Sequence, residues 1–267
     1  MPDNDSPVLY QQEGAIVTVT MNRPDQMNNF GGGLFEALGE AATRFHQDDS
    51  ARVMILTGNG RAFCAGGDLK SIESRMRSTE APRERTPDQQ RRNFFENEKF
   101  TRRTNIYKPM IAAVNGYCFA GGLELALTCH FIIGAQSSEY GVLNRRWAVP
   151  LVDGGTYRLP RWVGLGNAMY LIQTGKRIDV HEAQRMGLVQ EIVPDADLMA
   201  RTREIAAVMA AVPLSGLTGD TEAALRGLGR TYEDGLALEA VIGSTTRISG
   251  DALGRFVSGT YDPTTGT

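Results

Sequence analysis

Only three cysteines occur in 267 residues, Cys64, Cys118 and Cys129, and none of them form a CxxC pair. That spacing offers neither a disulfide framework nor a zinc-binding cysteine pattern, and it suits a reducing compartment. Histidine is as scarce. His46, His130 and His181 are scattered, so no metal constellation appears. Positive charge is not in excess: 28 Lys and Arg face 31 Asp and Glu, for a net charge of −3. This removes the global electrostatic case for a nucleic acid or a membrane surface as partner. The opening MPDNDSPVLY lacks a basic segment followed by an apolar run, so no secretory leader is expected and a cytoplasmic location is. There is no fixed repeat and no low-complexity tract. The longest apolar stretch, 108–135, is interrupted by Asn115, Gly121-Gly122, Glu124 and His130, which argues against a membrane-crossing helix. The hydrophobic fraction of 42% is enough for a proper core, in one large domain or one domain with an extension.

That same stretch, KPMIAAVNGYCFAGGLELALTCHFIIGA, organises the chain. Met110 to Val114 has the short apolar character of a buried strand, and Asn115-Gly116 ends it with turn chemistry. Gly121-Gly122 opens a helix over Leu123 to Thr128, and His130 to Ile133 is strand-like again. Backbone N–H groups at a helix start have no intrahelical partner and attract negative charge. Glycine lets a ligand approach that backbone. Glu124, one turn into an apolar helix, is costly unless something uses or pairs it. Donors beside a semi-buried acid suggest oxyanion stabilisation next to a general acid/base. A plain strand–helix–strand core with Glu124 in a structural ion pair fits this stretch as well.

Taken in order, Val8 to Tyr10 and Ala15 to Met21 alternate around Glu13-Gly14 and predict a hairpin. Leu34, Phe35, Leu38, Ala42 and Phe45 predict a helix over residues 33–47, and Val53 to Thr57 a strand. The loop from Gly58 to Lys70 follows. It is neither a phosphate loop, having no Gly-Lys-Ser/Thr, nor a dinucleotide fingerprint. It is an ordinary strand-to-helix loop or a second set of exposed N–H groups around Ala65 and Gly66. Residues 71–103 are rich in Arg and Glu, a solvated connection or a lid, in which Phe94, Phe95 and Phe100 could line a pocket. Asp153-Gly154-Gly155 reads as a turn or a helix start. Further helices are expected over 167–174, 180–186 and 198–212, with a strand over 189–193. After Pro213 the strand signals stop and a helical region is expected, ending in a disordered tail from Tyr261.

Two separated motifs now point to one family. FCAGGDLK (Phe63 to Lys70) and KPMIAAVNGYCFAGGLELA (Lys108 to Ala126) resemble the two signatures of the crotonase, or enoyl-CoA hydratase/isomerase, superfamily. Asn22 to Pro24, GGTYRLPRWVG from Gly154 and EAQRMGLVQEIV from Glu182 are similar too, so the resemblance covers nearly the whole chain. It implies an α/β fold, a spiral of ββα repeats over 1–195, with a C-terminal helical trimerisation region over 196–260. It also implies a homotrimer or a dimer of trimers, and a coenzyme A thioester as substrate with no separate cofactor. The N–H groups of Ala65 and Gly121 would form an oxyanion hole. Met27, Asn28, Lys70 and the backbone near Asp68 would contact coenzyme A, with Cys64, Gly66, Gly67 and Gly122 in the two glycine loops. Glu124 falls on the first of two catalytic glutamates of the hydratases. The place of the second is taken by Asn144, which can orient a water but not exchange its proton near neutral pH. Asp153 stands where a related isomerase branch carries an acid and could meet Glu124 across the pocket, or it could simply cap a helix. The leading expectation is hydration of a 2-enoyl-CoA or the reverse dehydration. The alternatives are isomerisation with Glu124 and Asp153, or an acyl-CoA binder without turnover.

Overall fold

The computed structural model describes residues 6–77, 86, 88–89 and 99–260. Phe94, Phe95, most of the 71–103 insertion and the tail from Tyr261 lie outside the described residues.

Val8–Glu13 (β1) and Ile16–Met21 (β2) form the expected antiparallel hairpin, closed at Glu13 opposite Ile16. Leu34–Gln47 (α1) buries Leu34, Phe35, Leu38, Ala42 and Phe45, the residues whose helical spacing predicted it. Val53–Gly58 (β3) is buried along its whole length. Its side chains alternate: Met54 and Leu56 join the main core, and Val53 and Ile55 join a second core on the other face.

From there the chain winds. Ala62–Cys64 (β4) and Leu69–Arg77 (α2) precede the insertion. Met110–Val114 (β5), Tyr117–Phe119 (β6) and Gly121–Ala126 (α3) form the next turn. Phe131–Ala135 (β7) and Glu139–Gly141 (β8) follow, then Gly155–Thr174 (α4), Arg177–Asp179 (β9), Val180–Arg185 (α5) and Glu191–Val193 (β10). Alternate strands enter two sheets. One has the order β1-β2-β3-β5-β7-β10, the other β4-β6-β8-β9. Within each sheet the strands added by successive turns, β3-β5-β7 and β4-β6-β8, are parallel, so one turn of chain lays a strand in each sheet. This is the ββα spiral.

The sequence pattern under-reads the second sheet. β4 and β6 lie inside segments expected to be loop or turn, because three residues are too few for alternation to register. Helix α4 begins at Gly155, not at Asn167, and carries a non-helical Gly164 at φ 75°. Leu198–Ala211 (α6) covers the second core through Leu198 and Ala206. Leu214–Gly227 (α7), Tyr232–Thr245 (α8) and Gly250–Val257 (α9) complete the chain. No described residue of α7 or α8 is buried, although Leu225, Leu236 and Val241 are apolar.

Candidate active site

The spiral brings the two glycine loops into contact. Cys64 lies opposite Cys118 in the parallel β4–β6 pair, so the ends of both strands arrive together. A Cβ on Gly66 would stand 2.6 Å from the Gly121 nitrogen, and one on Gly122 would overlap the Cys64 carbonyl. Only glycine allows this backbone-on-backbone approach. Ala120, just before α3, has φ 51° and ψ −118°, a conformation costly for a residue with a Cβ. Its own N–H is donated to the Gly141 carbonyl at 2.9 Å. The next N–H, that of Gly121, has no partner among the described residues. The Phe30 ring, stacked on Phe35 at 4.5 Å, closes one side: a Cβ on Gly121 would meet Phe30 Cε2 at 2.5 Å.

The expected partner donor, Ala65, is engaged. Its N–H is donated to the Met27 carbonyl at 2.9 Å. Gly66 turns at φ 90°, and its N–H lies 3.3 Å from Cys64 Sγ. The N–H of Gly67, an exposed residue, has no partner among the described residues, and neither do those of Asp68 and Leu69 where α2 begins. Ala65 therefore braces the first loop onto Met27.

Glu124 is 3% exposed. Its Oε1 accepts two backbone N–H groups, from Asp153 and from Gly155, each at 2.8 Å. A carboxylate from α3 thus caps the first turn of α4. No described residue donates a hydrogen bond to Oε2. Burial pushes the acid up to about 7. The two N–H bonds and the Arg158 charge hold it down, and the Asp153 charge adds to the rise.

Asp153 does not meet Glu124 with its side chain. Its carboxylate accepts from Thr101 Oγ1 at 3.2 Å and pairs with Arg102 Nε at 3.2 Å. Nor does it cap α4, whose N-cap is Gly154 at φ 103° with no side-chain cap bond. It is the backbone of Asp153 that touches the acid. Arg158 closes the network, donating Nη1 to the Asp153 carbonyl at 3.0 Å and Nη2 to the Thr101 carbonyl at 2.8 Å.

Asn144 is buried on a short 3-10 helix, Leu143–Trp147. Its Nδ2 is donated to the Val149 carbonyl at 2.7 Å, and its buried Oδ1 has no partner. An orphaned acceptor of this kind is costly without a donor. Its side chain makes no hydrogen bond to Glu124 or Asp153.

The expected coenzyme A residues divide into two groups. Asn28 is wholly buried and spends its side chain on structure: Oδ1 accepts the Arg23 N–H at 2.8 Å, and Nδ2 is donated to the carbonyls of Asn59 and Ala62 at 3.0 and 2.7 Å. Met27, at φ 50°, offers its carbonyl to Ala65. Asp68 opens α2, accepting from Ser71 Oγ at 2.8 Å and the Lys70 N–H at 3.1 Å. Those bonds, Ser71's first, hold its carboxyl below the usual range. Lys70 is exposed. The Cys64 thiol is buried and pushed up to about 12, so it is inert. Sequence reasoning missed Phe30, Arg102, Gly155 and Arg158. Arg158 and Gly155 lie within the GGTYRLPRWVG motif, whose match to the family was its only signal. Among the described residues no group of three or more His, Cys, Asp or Glu side chains could hold a metal ion. No described helix is long and apolar enough to cross a membrane.

A carboxyl poised near neutrality, a few residues from an unpaired helix-start N–H, belongs to a fold that is recognisable. The enoyl-CoA hydratase/isomerase family model matches residues 11–246. The chain belongs to that family of enzymes. It is 31% identical over 229 residues to "Probable enoyl-CoA hydratase, mitochondrial" of Dictyostelium discoideum, covering 86% of this chain and 79% of that protein. It is 32% identical over 211 residues to the 1,2-epoxyphenylacetyl-CoA isomerase of Escherichia coli, covering 79% of this chain and 78% of that one. Among solved structures, an enoyl-CoA hydratase from Bacillus anthracis superposes with a TM-score of 0.83 at 30% identity, over 98% of this chain and all of that one. The fold is that of the crotonase enzymes.

Proposed function

We propose that this enzyme hydrates a 2-enoyl-CoA, or runs the reverse dehydration, with Glu124 as the acid/base. The observation that carries this reading is the two-sided environment of Glu124: Oε1 is held by two N–H groups while Oε2 accepts no bond from a described residue. A carboxyl raised to about 7 exchanges its proton near neutral pH, as a general base and then a general acid must. The thioester oxygen would lie between the N–H groups of Gly121 and Gly67. Neither has a partner among the described residues, and Ala65 donates to Met27 instead.

In the forward direction Oε2 takes a proton from water as the water oxygen bonds to C3 of the acyl group. The C2–C3 π electrons move onto the thioester oxygen and form an enolate, which the two N–H groups stabilise. Glu124, now protonated, returns the proton to C2. One water is gained, and the carboxylate is restored. Asn144, whose buried Oδ1 lacks a donor, would accept from that water and fix its place. No separate cofactor takes part in this scheme.

A second reading is isomerisation, in which Glu124 carries a proton between two carbons of the acyl chain. It is favoured by Asn144, which leaves a single exchangeable acid. It would run on Glu124 alone, because the Asp153 carboxylate is bound to Arg102 and Thr101. The deciding experiment incubates crotonyl-CoA with the protein and with Glu124→Gln, following the conjugated-thioester absorbance and product mass. A product one water heavier, lost in the variant, supports hydration. A double-bond isomer of unchanged mass, from an enoyl-CoA of longer chain, supports the second reading. Bound but unchanged thioester would leave a binder.

We further propose a homotrimer or a dimer of trimers. Leu228, Tyr232, Leu236, Val241 and Ile248 are exposed apolar residues of the C-terminal helical region, which single chains seldom leave in contact with water. A cavity of about 900 Å³ separates Leu217 and Leu225 of α7 from Phe131 and Trp162 of the core. A second copy would fill such surfaces.

A further inference from the structure

We propose that Arg158 is a positioning residue of this site: it clamps the turn that holds Glu124 and serves as the counter-charge of the ionised carboxylate. The inference rests on the reading of Glu124 as the acid/base.

The geometry is a chain of contacts. Arg158 sits in the first turn of α4, and its two donated bonds go to carbonyls on different segments, Asp153 before the helix and Thr101 near the end of the insertion. The guanidinium lies against Gly154, where any Cβ would overlap Nη1. Asp153 and Gly155, on either side of that glycine, supply both N–H groups to Glu124 Oε1. The direction of those two N–H vectors therefore depends on where Arg158 holds the turn.

The charges balance in the same way. Four charged groups meet here: Arg102, Asp153, Glu124 and Arg158. Arg102 and Asp153 neutralise one another at 3.2 Å. Arg158 is half-buried and bonded to carbonyls, and its charge is felt by Glu124. The other titratable groups on the elements around α3 and Arg158 are Cys64, Tyr117, Cys118, Tyr157, Arg161 and Tyr170, with Cys129 and His130 just after α3. Arg161 donates to the Tyr157 carbonyl and lies over the Tyr157 ring, and burial pushes His130 down to about 4, so it is neutral near pH 7. The three thiols are pushed far up by burial and stay neutral. Arg158 is the cation whose charge acts on Glu124. A cation that stabilises an anion in a poorly hydrated site makes the anion easier to form.

The experiment titrates Glu124 directly, by isotope-edited infrared difference spectroscopy of the full chain labelled with 13C-glutamate. Glu124→Gln identifies the band. Wild type, Arg158→Met and Arg158→Lys are compared, with crotonyl-CoA kinetics alongside. Removing the charge in Arg158→Met is expected to raise the midpoint by about one unit or more. Arg158→Lys keeps the charge but cannot bridge both carbonyls, so its midpoint stays near that of wild type while kcat falls. An unmoved midpoint in a folded Arg158→Met protein overturns the proposal. So does a fall into the ordinary carboxylate range, which would mean that Arg158 only keeps water out. Should Arg158→Met not fold, Arg158→Gln, neutral but able to donate to a carbonyl, carries the same comparison. A shifted midpoint in a protein that leaves crotonyl-CoA intact would support the positioning role while removing the hydratase reading. Turnover with an unmoved midpoint does the reverse.

Discussion

Gly155 donates its N–H to Glu124 Oε1 at 2.8 Å, and a Cβ on the same glycine would stand 2.8 Å from Glu124 Cγ. The residue that orients the acid is also the one that makes room for it. Gly155→Ala is expected to tilt the carboxyl and lower kcat about a hundredfold, since small displacements of a reacting group cost that much. Steady-state rates on crotonyl-CoA, with circular dichroism confirming the fold, check this.

The raised acid links activity and stability to pH in opposite senses. The carboxylate form is needed to take the proton from water, so the hydration rate should climb as pH rises through about 7. Stability moves the other way. Unfolded, the group ionises at its ordinary value of 4.5; folded, at about 7. Below the lower value neither state is penalised. Between the two the unfolded chain releases its proton first, so stability declines as pH rises and levels off above the higher value. The loss reaches up to about 3 kcal/mol. Glu124→Gln should therefore lose turnover yet exceed wild type in urea resistance at pH 8. Equal denaturation curves at pH 8 would contradict the raised acid.

Gly67→Pro removes the N–H proposed as the second oxyanion donor. It is expected to cost about 100- to 1,000-fold in kcat while thioester binding persists. Rapid-mixing kinetics and calorimetry with a saturated acyl-CoA separate the two effects. Full activity in this variant would return the role to another N–H of the loop.

Asn28 is wholly buried and its side chain makes three hydrogen bonds. Asn28→Ala leaves Arg23, Asn59 and Ala62 each short of a partner, and a loss of about 3 kcal/mol is expected. Urea denaturation measures it. A stable variant with weakened coenzyme A binding would show instead that Asn28 contacts the ligand.

For the assembly, light scattering should give a mass about three times the 29.1 kDa chain, or twice that again. Val241→Asp with Ile248→Asp, both exposed in the single chain, should lower it. A monomeric wild type would remove the proposal.

The sequence by itself determined the parts that depend on short-range pattern. The hairpin, α1, β3 and the all-helical end were legible in periodicity, and the placing of Glu124 beside a helix start in glycine and apolar spacing. The two motifs were enough for the family. What tertiary structure decided were the partners, because a hydrogen bond between residues far apart in the chain has no local signal. Ala65 matched the motif, but its N–H is spent on Met27, a residue 38 positions away. Asp153 carried the right charge in the right place, yet its carboxylate is bonded to Arg102 and Thr101, at the end of the insertion, and not to Glu124. Asn28 matched a ligand-contact position and is a buried brace. The three-residue strands β4 and β6 exist because the spiral stacks them, not because their sequence demands it. The acidity of Glu124 belongs to this second group. Burial raises it, two backbone donors and Arg158 restrain it, and all of these are supplied by the fold.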